Sequence, residues 1–217
     1  MAKNNKIGII DYGVGNLFGL NKAISKFAKN VVITEDPEEV NSLNALILPG
    51  VGSFEAGING LKVRNLINPV KKFAESGKPM LGICLGAQLL LSKGYEFGNF
   101  DGLDIIPGKV VLLSGLDRSA KVPHIGWNRI EPVKKSSWRG TILDSVKTGG
   151  YVYFIHSFVL QPDEKKDIFS LTSYGGKTFC SMVKRGNIYG CQFHPEKSAT
   201  EGLKIIKNFV SLVNSKL

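Results

Sequence analysis

Cysteine is scarce in this chain of 217 residues, with thiols only at positions 84, 180 and 191. An odd number without metal-type spacing excludes a complete disulfide framework and a structural zinc site, and a chain of this length buries a continuous core without such staples. Long apolar runs are also missing. No stretch approaches the roughly 20 residues of a membrane span, and 43% hydrophobic with 21% charged residues is an ordinary globular balance. Histidine is limited to positions 124, 156 and 194, so any imidazole chemistry must draw on one of these. Acidic residues are outnumbered, leaving a net charge of +10. Clustered basic residues would track phosphates. Here Lys62, Arg64, Lys71, Lys72 and Lys78 lie on one expected helix and its flank, while Lys134, Lys135, Lys165, Lys166, Lys184 and Arg185 are spread among loops and turns. That distribution describes a solvated basic surface, or one facing an acidic partner protein, and neither a nucleic-acid nor a membrane partner is expected. The basic start "MAKNNKIGIIDYG" reaches Asp11 after a short apolar run and carries no small-residue cleavage site, which suggests a mature cytoplasmic protein with reduced thiols.

Strand and helix patterns alternate through the first half. "KIGIID" precedes a helix near 17–29, then come "NVVIT", "NALILPG", a helix near 61–76, "MLGIC" and a helix from about Leu85. This is the rhythm of a parallel sheet covered on both faces. The second half holds short β-rich runs, "GKVVLL", "YVYFIHSF", "IFSLTSYGG", "TFCSMVKRG" and "NIYGCQF", with Gly186-Asn187 suited to a tight hairpin. A last helix places Leu203, Ile206, Phe209, Val210 and Val213 on one face, with Thr200 as its expected N-cap. The fold class is therefore α/β, one domain over 1–217 with a mostly parallel central sheet, flanking helices and an antiparallel elaboration. Cys180 and Cys191 fall diagonally across the hairpin arms, a poor geometry for a disulfide, and read as core thiols.

The stretch "GICLGAQ" has the G-x-C-x-G form of a nucleophile elbow, a sharp strand-to-helix turn that lifts its central side chain into the open. A Cβ at Gly82 or Gly86 would crowd such a turn. Cys84 then stands at a helix start, where N–H groups favour a thiolate and the Leu85 amide can receive a developing oxyanion. A buried structural cysteine between two packing glycines is the competing reading. The thiolate needs a base. In "YGCQFHPEKS", Pro195 favours an extended His194, and residues 194 and 196 of an extended segment share a side, so Glu196 can hold the imidazole tautomer. Cys84, His194 and Glu196 thus fill the roles of nucleophile, acid/base and orienter.

"GICLGAQ" with "FHPEKS" resembles the signature of the class I, or triad-type, glutamine amidotransferases, over nearly the whole chain from about Ile7 to Val213. "IIDYGVGNL", "LPGVGSF", "GLDIIPGKV", "VPHIGWN" and "YFIHSF" are further similar to the branch of that family formed by the glutaminase subunits of imidazole glycerol phosphate synthases. The resemblance implies that Cys84 attacks the side-chain amide of glutamine, that His194 protonates the departing ammonia, and that water frees glutamate from a thioester. It implies a second half of the oxyanion site at the Val51 and Gly52 amides, beside Leu85. Gln88, four residues past Cys84 on the helix, would contact glutamine, Glu96 would meet its α-ammonium group, and the backbone near His156 and Ser157 would meet its carboxylate. No metal and no cofactor are implied. The implied partner is a TIM-barrel cyclase subunit in a heterodimer, contacted by Trp127 in an expected loop and by Asn128, with Lys197 pairing an acidic residue of it.

Three readings compete. "DYGVGNLFG" supplies Gly13, Gly15 and Gly19 after a strand, with Glu35 or Asp36 ending the next one, as in a dinucleotide-binding protein. That pattern explains neither the elbow nor His-Pro-Glu. A scaffold or stand-alone thiol hydrolase would retain Cys84 without serving a partner. A paralogue would pass ammonia to a sugar-modifying amidotransferase of surface polysaccharide synthesis.

Overall fold

The structure, a computed structural model, describes residues 5–118, 120–134 and 138–216. The basic start before Asn5 and Lys135 lie outside the described residues. The first half alternates β1 (Ile7–Ile10), α1 (Leu17–Ile24), β2 (Val31–Thr34), α2 (Pro37–Ser42), β3 (Ala45–Leu48), α3 (Phe54–Val63), α4 (Ile67–Glu75), β4 (Met80–Ile83) and α5 (Leu85–Leu89). The second half is strand-rich: β5 (Leu91–Gly94), β6 (Phe100–Asp101), β7 (Ile106–Leu112), β8 (His124–Pro132), β9 (Gly150–His156), β10 (Phe158–Pro162), β11 (Ile168–Tyr174), β12 (Lys177–Arg185) and β13 (Ile188–Cys191), closed by α6 (Ala199–Lys216).

The main sheet runs β2-β1-β3-β4-β13-β12-β10-β7-β5-β6. It is parallel from β2 to β13 and turns antiparallel at β12 and β10. From β12 a branch leads through β11 and β8 to β9. The inner strands are continuous apolar runs because both faces are covered. On one side Ile9, Ile47 and Ile83 pack with Leu20 and Ile24 of α1 and with Ile206, Phe209 and Val213 of α6. On the other, Ile10, Leu46 and Leu48 meet Phe54 and Leu61 of α3, Val70 and Phe73 of α4, and Leu85 and Leu89 of α5. The apolar period of each helix is spent on one of these two layers.

Two strands set the site. β4 and β13 are parallel neighbours with Ile83 opposite Cys191, and the Cys84 amide donates to the Cys191 carbonyl at 2.7 Å. The segments after both strands, one holding Cys84 and the other His194, therefore leave the same edge of the sheet.

Several expected boundaries shift for local reasons. The helix expected at 61–76 is two helices, α3 and α4, broken at Asn65, whose φ of 57° no α-helix accommodates. α3 starts earlier because the Ser53 side chain accepts from the Ala56 amide as its N-cap. α1 ends at Ile24, short of the expected residue 29. "YVYFIHSF" divides into β9 and β10 at Ser157. α6 opens at Ala199, so Thr200 lies in its first turn and does not cap it. The buried stripe of α6 runs through Ile205, whereas Leu203 is only partly buried. Gly186-Asn187 does form the hairpin turn, since Arg185 pairs with Ile188. Met182 faces Cys191 across it, which leaves Cys180 diagonal, and both thiols are free and buried. Among the described residues no helix is long and apolar enough to cross a membrane.

Candidate active site

Cys84 sits between β4 and α5 with φ 53° and ψ −109°, a conformation that side-chain-bearing residues rarely adopt. Its surroundings hold the chain there. A Cβ on Gly86 would run into the Leu48 carbonyl, and one on Gly82 would approach Ala87 Cα to 2.8 Å, so the turn can lie against β3 only with glycine at both places. The Cys84 side chain is 7% exposed. Its sulfur meets the Ile155 carbonyl at 3.8 Å and accepts an N–H from Gln192 Nε2 at 3.8 Å. α5, the helix expected from about Leu85, is a single short turn of five residues, so it supplies first-turn N–H groups but little dipole.

His194 follows β13 with φ −101° and ψ 96°, extended as the following proline favours. The segment then turns at once into a 3₁₀ turn, Pro195–Lys197, in place of the extended strand expected through Glu196. That turn still brings Glu196 Oε1 to 2.8 Å from His194 Nδ1. Nδ1 is thereby the protonated nitrogen against the carboxylate, and Nε2 points away. His194 is anchored by backbone: its N–H donates to the Tyr153 carbonyl at 2.9 Å, and its carbonyl accepts from the Ser198 hydroxyl at 2.6 Å. Burial works to lower the His194 pKa, but the Cys84 sulfur and the Glu196 carboxylate outweigh it and raise the pKa to about 9. Nε2 has no hydrogen-bond partner among the described residues, although it is buried. It is placed to exchange a proton with a molecule between it and Cys84.

Both side chains open on one cavity of about 270 Å³. Val51, Gly52, Gln88, Glu96, Pro123, His156, Ser157 and Lys197 line it as well, so residues from six separate segments converge there. Gly52 has φ 112° and nothing within 4 Å of a Cβ position, which leaves its peptide unit room to turn. Glu96 Oε2 accepts from the Phe54 amide at 2.7 Å and thus holds the start of α3 at the cavity wall. Gln88 is buried, and its Nε2 donates to the Phe158 carbonyl at 3.3 Å and to Gln192 Oε1 at 3.2 Å. Both of its N–H donors are therefore engaged. Leu85 is buried and does not line the cavity.

Comparison with known proteins gives the family. The family model described as "Glutamine amidotransferase class-I" matches residues 9–212. The chain belongs to the class-I glutamine amidotransferases. Among curated relatives, the "Imidazole glycerol phosphate synthase subunit HisH 1" of Legionella pneumophila (strain Paris) is 45% identical over 212 residues, covering 96% of this chain and 100% of that protein. The subunit HisH of Caldanaerobacter subterraneus subsp. tengcongensis is 44% identical over 207 residues, covering 95% and 98%. Among solved structures, one described as a glutamine amidotransferase superposes with TM-score 0.72 at 18% identity, covering 95% of this chain and 98% of its own. A putative GMP synthase subunit from Thermoplasma acidophilum gives TM-score 0.66 at 22% identity, covering 97% and 94%. At such identities the superpositions speak for the fold.

Within this class-I glutamine amidotransferase, the residues expected at a partner surface separate. "PHIGWN" is strand β8, not a loop, and its period-two alternation turns Trp127 outward and Asn128 inward. Trp127 is 51% exposed beside Tyr153, while Asn128 bonds His124 and the Ser173 carbonyl. Lys197 is exposed at the cavity mouth. The glycines of the competing dinucleotide reading have other neighbours: the Arg64 guanidinium covers Gly13, Asn16 caps α1 at Gly19, Gly15 lies against Pro49, Glu35 pairs with Arg64 at 3.0 Å, and Asp36 caps α2. Among the described residues no group of three or more His, Cys, Asp or Glu could hold a metal.

Sequence reasoning missed Gln192, Pro123, Ile155 and Phe158 at the site. Only Gln192 carried a usable signal, as a polar residue inside the apolar strand run "YGCQF". It also missed Tyr12, buried under the elbow, whose hydroxyl donates to the Pro49 carbonyl. Burial, with the Cys84 sulfur nearby, raises the Tyr12 pKa far above the phenol range.

Proposed function

We propose that this chain, as one glutamine amidotransferase domain over 1–217, is the glutaminase subunit of an imidazole glycerol phosphate synthase in histidine biosynthesis. The observation that carries the reading is the convergence of a strained Cys84 and an unpartnered His194 Nε2 on one cavity, in a chain 45% identical to a HisH subunit along its length.

Glutamine enters with its side-chain carbonyl toward the first-turn amide of Leu85 and the Val51–Gly52 peptide. The Cys84 thiolate attacks the amide carbon, and the C=O electron pair moves onto oxygen, where these N–H groups stabilise it. The oxyanion collapses as the C–N bond breaks, and His194 Nε2 gives its proton to the departing nitrogen, which leaves as ammonia. The acyl group remains on sulfur as a thioester. Water then attacks that carbon, Nε2 takes a proton from it, and the C–S bond breaks to release glutamate and restore the thiolate. Glu196 keeps the imidazole in one orientation through both steps. Gln88 offers its carbonyl to glutamine, Glu96 binds the α-ammonium group, and the backbone at His156 and Ser157 binds the carboxylate.

The ammonia goes to a TIM-barrel cyclase subunit, which joins it to an open-chain phosphoribulosyl intermediate to make imidazole glycerol phosphate and aminoimidazole carboxamide ribotide. The outward face of β8 and β9, with Ile125, Trp127, Tyr151 and Ile155 all exposed, supports a protein partner beside the cavity. Lys197 at the cavity mouth pairs with an acidic residue of that partner. The test is product formation with a TIM-barrel cyclase, using glutamine or ammonium salt as nitrogen source. Cys84→Ala is expected to abolish the glutamine route and spare the ammonia route. Equal glutamine-dependent rates in both proteins would overturn the nucleophile, and no product with any cyclase but ammonia transfer to a sugar acceptor would move the chain to the polysaccharide branch.

A further inference from the structure

A single hydrogen-bonded chain links strand β8 to the nucleophile, and its donor directions can be fixed link by link. A carbonyl oxygen only accepts, so the Ser173 carbonyl takes an N–H from Asn128 Nδ2 at 3.0 Å, while Asn128 Oδ1 accepts from the Arg129 amide at 2.8 Å. The amide orientation of Asn128 is thus set. Its second N–H meets His124 Nε2 at 3.3 Å, which makes Nε2 the acceptor and leaves the proton on Nδ1. His124 Nδ1 donates to His156 Nε2 at 3.0 Å, and His156 Nδ1 donates to the Phe158 carbonyl at 2.9 Å. Both rings are neutral in this arrangement. Their burial agrees, lowering the His124 pKa to about 4 and the His156 pKa to about 3.

The Phe158 carbonyl also receives Gln88 Nε2, so the nitrogen end of Gln88 faces it and must also face Gln192 Oε1. Gln192 is fully buried, and with its oxygen so engaged its NH₂ end is the one left for the Cys84 sulfur at 3.8 Å. An amide placed the other way would set two donors against each other at Gln88 and an oxygen against a Cys84 thiolate. The chain therefore delivers an N–H, and never an oxygen, to the sulfur.

We propose that Gln192 is a further catalytic residue, donating its side-chain N–H to the Cys84 sulfur and stabilising the thiolate that attacks glutamine. The proposal rests on the reading of Cys84 as the nucleophile. An N–H to a localised negative charge is worth more than one to a neutral thiol, so the donor favours the anion. The other titratable groups around Cys84 are His194 with Glu196 behind it, Tyr12 beneath the elbow, and His156, Glu96 and Lys197 at the cavity wall. His194 supplies the charge partner on one side of the sulfur, and Gln192 supplies a neutral donor that stays a donor at every pH.

The test uses the full chain and iodoacetamide, with alkylation of Cys84 followed on its own peptide by mass spectrometry across pH roughly 6 to 9. In Gln192→Met, which keeps the volume and removes the donor, alkylation near pH 7 is expected to fall about tenfold and to recover as pH rises. An unchanged profile would overturn the proposal, as would a loss of equal size at every pH, since that reports access and not thiolate population. In the cyclase complex the same variant is expected to lower kcat with KM for glutamine changed by less than about threefold. A wild-type measurement guards against a variant that does not fold. The Gln192 side-chain N–H resonances are expected to titrate with the midpoint of Cys84 alkylation, and to stop doing so in Cys84→Ala; flat resonances in wild type refute the contact. Should Cys84→Ala retain glutaminase activity, the nucleophile reading itself fails. Should it lose activity while both Gln192 readouts stay flat, only this inference does.

Discussion

At Cys84 and His194 the local chemistry is set by a few contacts with clear consequences. His194 gains its raised pKa, about 9, from Cys84 and Glu196 against the cost of burial. A histidine raised above its unfolded value of about 6.5 adds stability that is complete below that pH and disappears as pH climbs through the folded value. NMR of the His194 ring is expected to show a midpoint near 9, and Glu196→Gln to bring it down. The same substitution removes the carboxylate charge, and the amide it leaves can offer the imidazole an N–H in place of an acceptor, so the tautomer is no longer fixed. It is expected to lower glutamine-dependent kcat by roughly 10²–10⁴-fold, measured beside an unchanged ammonia-dependent rate. The His-Pro-Glu spacing made this pair readable in advance, because two residues apart is a local relation. Gln192, two residues before His194, escaped notice because its partner Cys84 lies 108 positions away.

Among the elements, the elbow and the β8–β9 hairpin depend on close approach. Gly86→Ala forces a methyl into the Leu48 carbonyl and is expected to cost about 3 kcal/mol or more of unfolding free energy, read from urea denaturation. The need for glycine there was legible from the turn pattern, though not the strand it presses on. His124 is sandwiched between Tyr174 at 4.0 Å and Phe154 at 4.9 Å. His124 and His156 have pKa values lowered in the fold, so the unfolded chain binds more protons between about pH 6.5 and the folded values. Stability should therefore fall as pH drops from 7 toward 4. His124→Phe keeps the stack and removes one titrating ring and its donor. It is expected to be less stable at neutral pH by about 1–3 kcal/mol, from the orphaned His156 Nε2, yet to lose stability less steeply on acidification. Denaturation midpoints between neutral and mildly acid pH check both.

Over the whole molecule, the sheet carries chemistry on one edge and an outward apolar face beside it. Ile125 pairs with Ile155 and Trp127 with Tyr153 across β8 and β9, so the exposed residues form one continuous stripe. Trp127→Ala is expected to weaken binding of a cyclase partner by about 30-fold or more and to leave the melting temperature within error of wild type, because the ring packs on the surface. Calorimetric titration and a thermal melt separate the two effects. Asn128→Ala acts differently, since this residue belongs to the interior hydrogen-bonded chain.

The amino-acid sequence by itself determined the alternation that makes a parallel sheet, the glycine-flanked cysteine turn and the His-Pro-Glu segment, because each depends on neighbours within a few positions. Tertiary structure alone decided that α5 is one short turn, that β8 is a strand, and that Asn128 faces inward while Trp127 faces out. It also decided that two neutral histidines and the pair Gln88 and Gln192 meet at one acceptor, the Phe158 carbonyl. Those outcomes turn on which strands pair and which buried polar atoms must satisfy one another across 70 and 104 positions of chain, from Gln88 to Phe158 and to Gln192. A buried donor has to find an acceptor wherever the fold places one, and spacing along the chain does not record where that is.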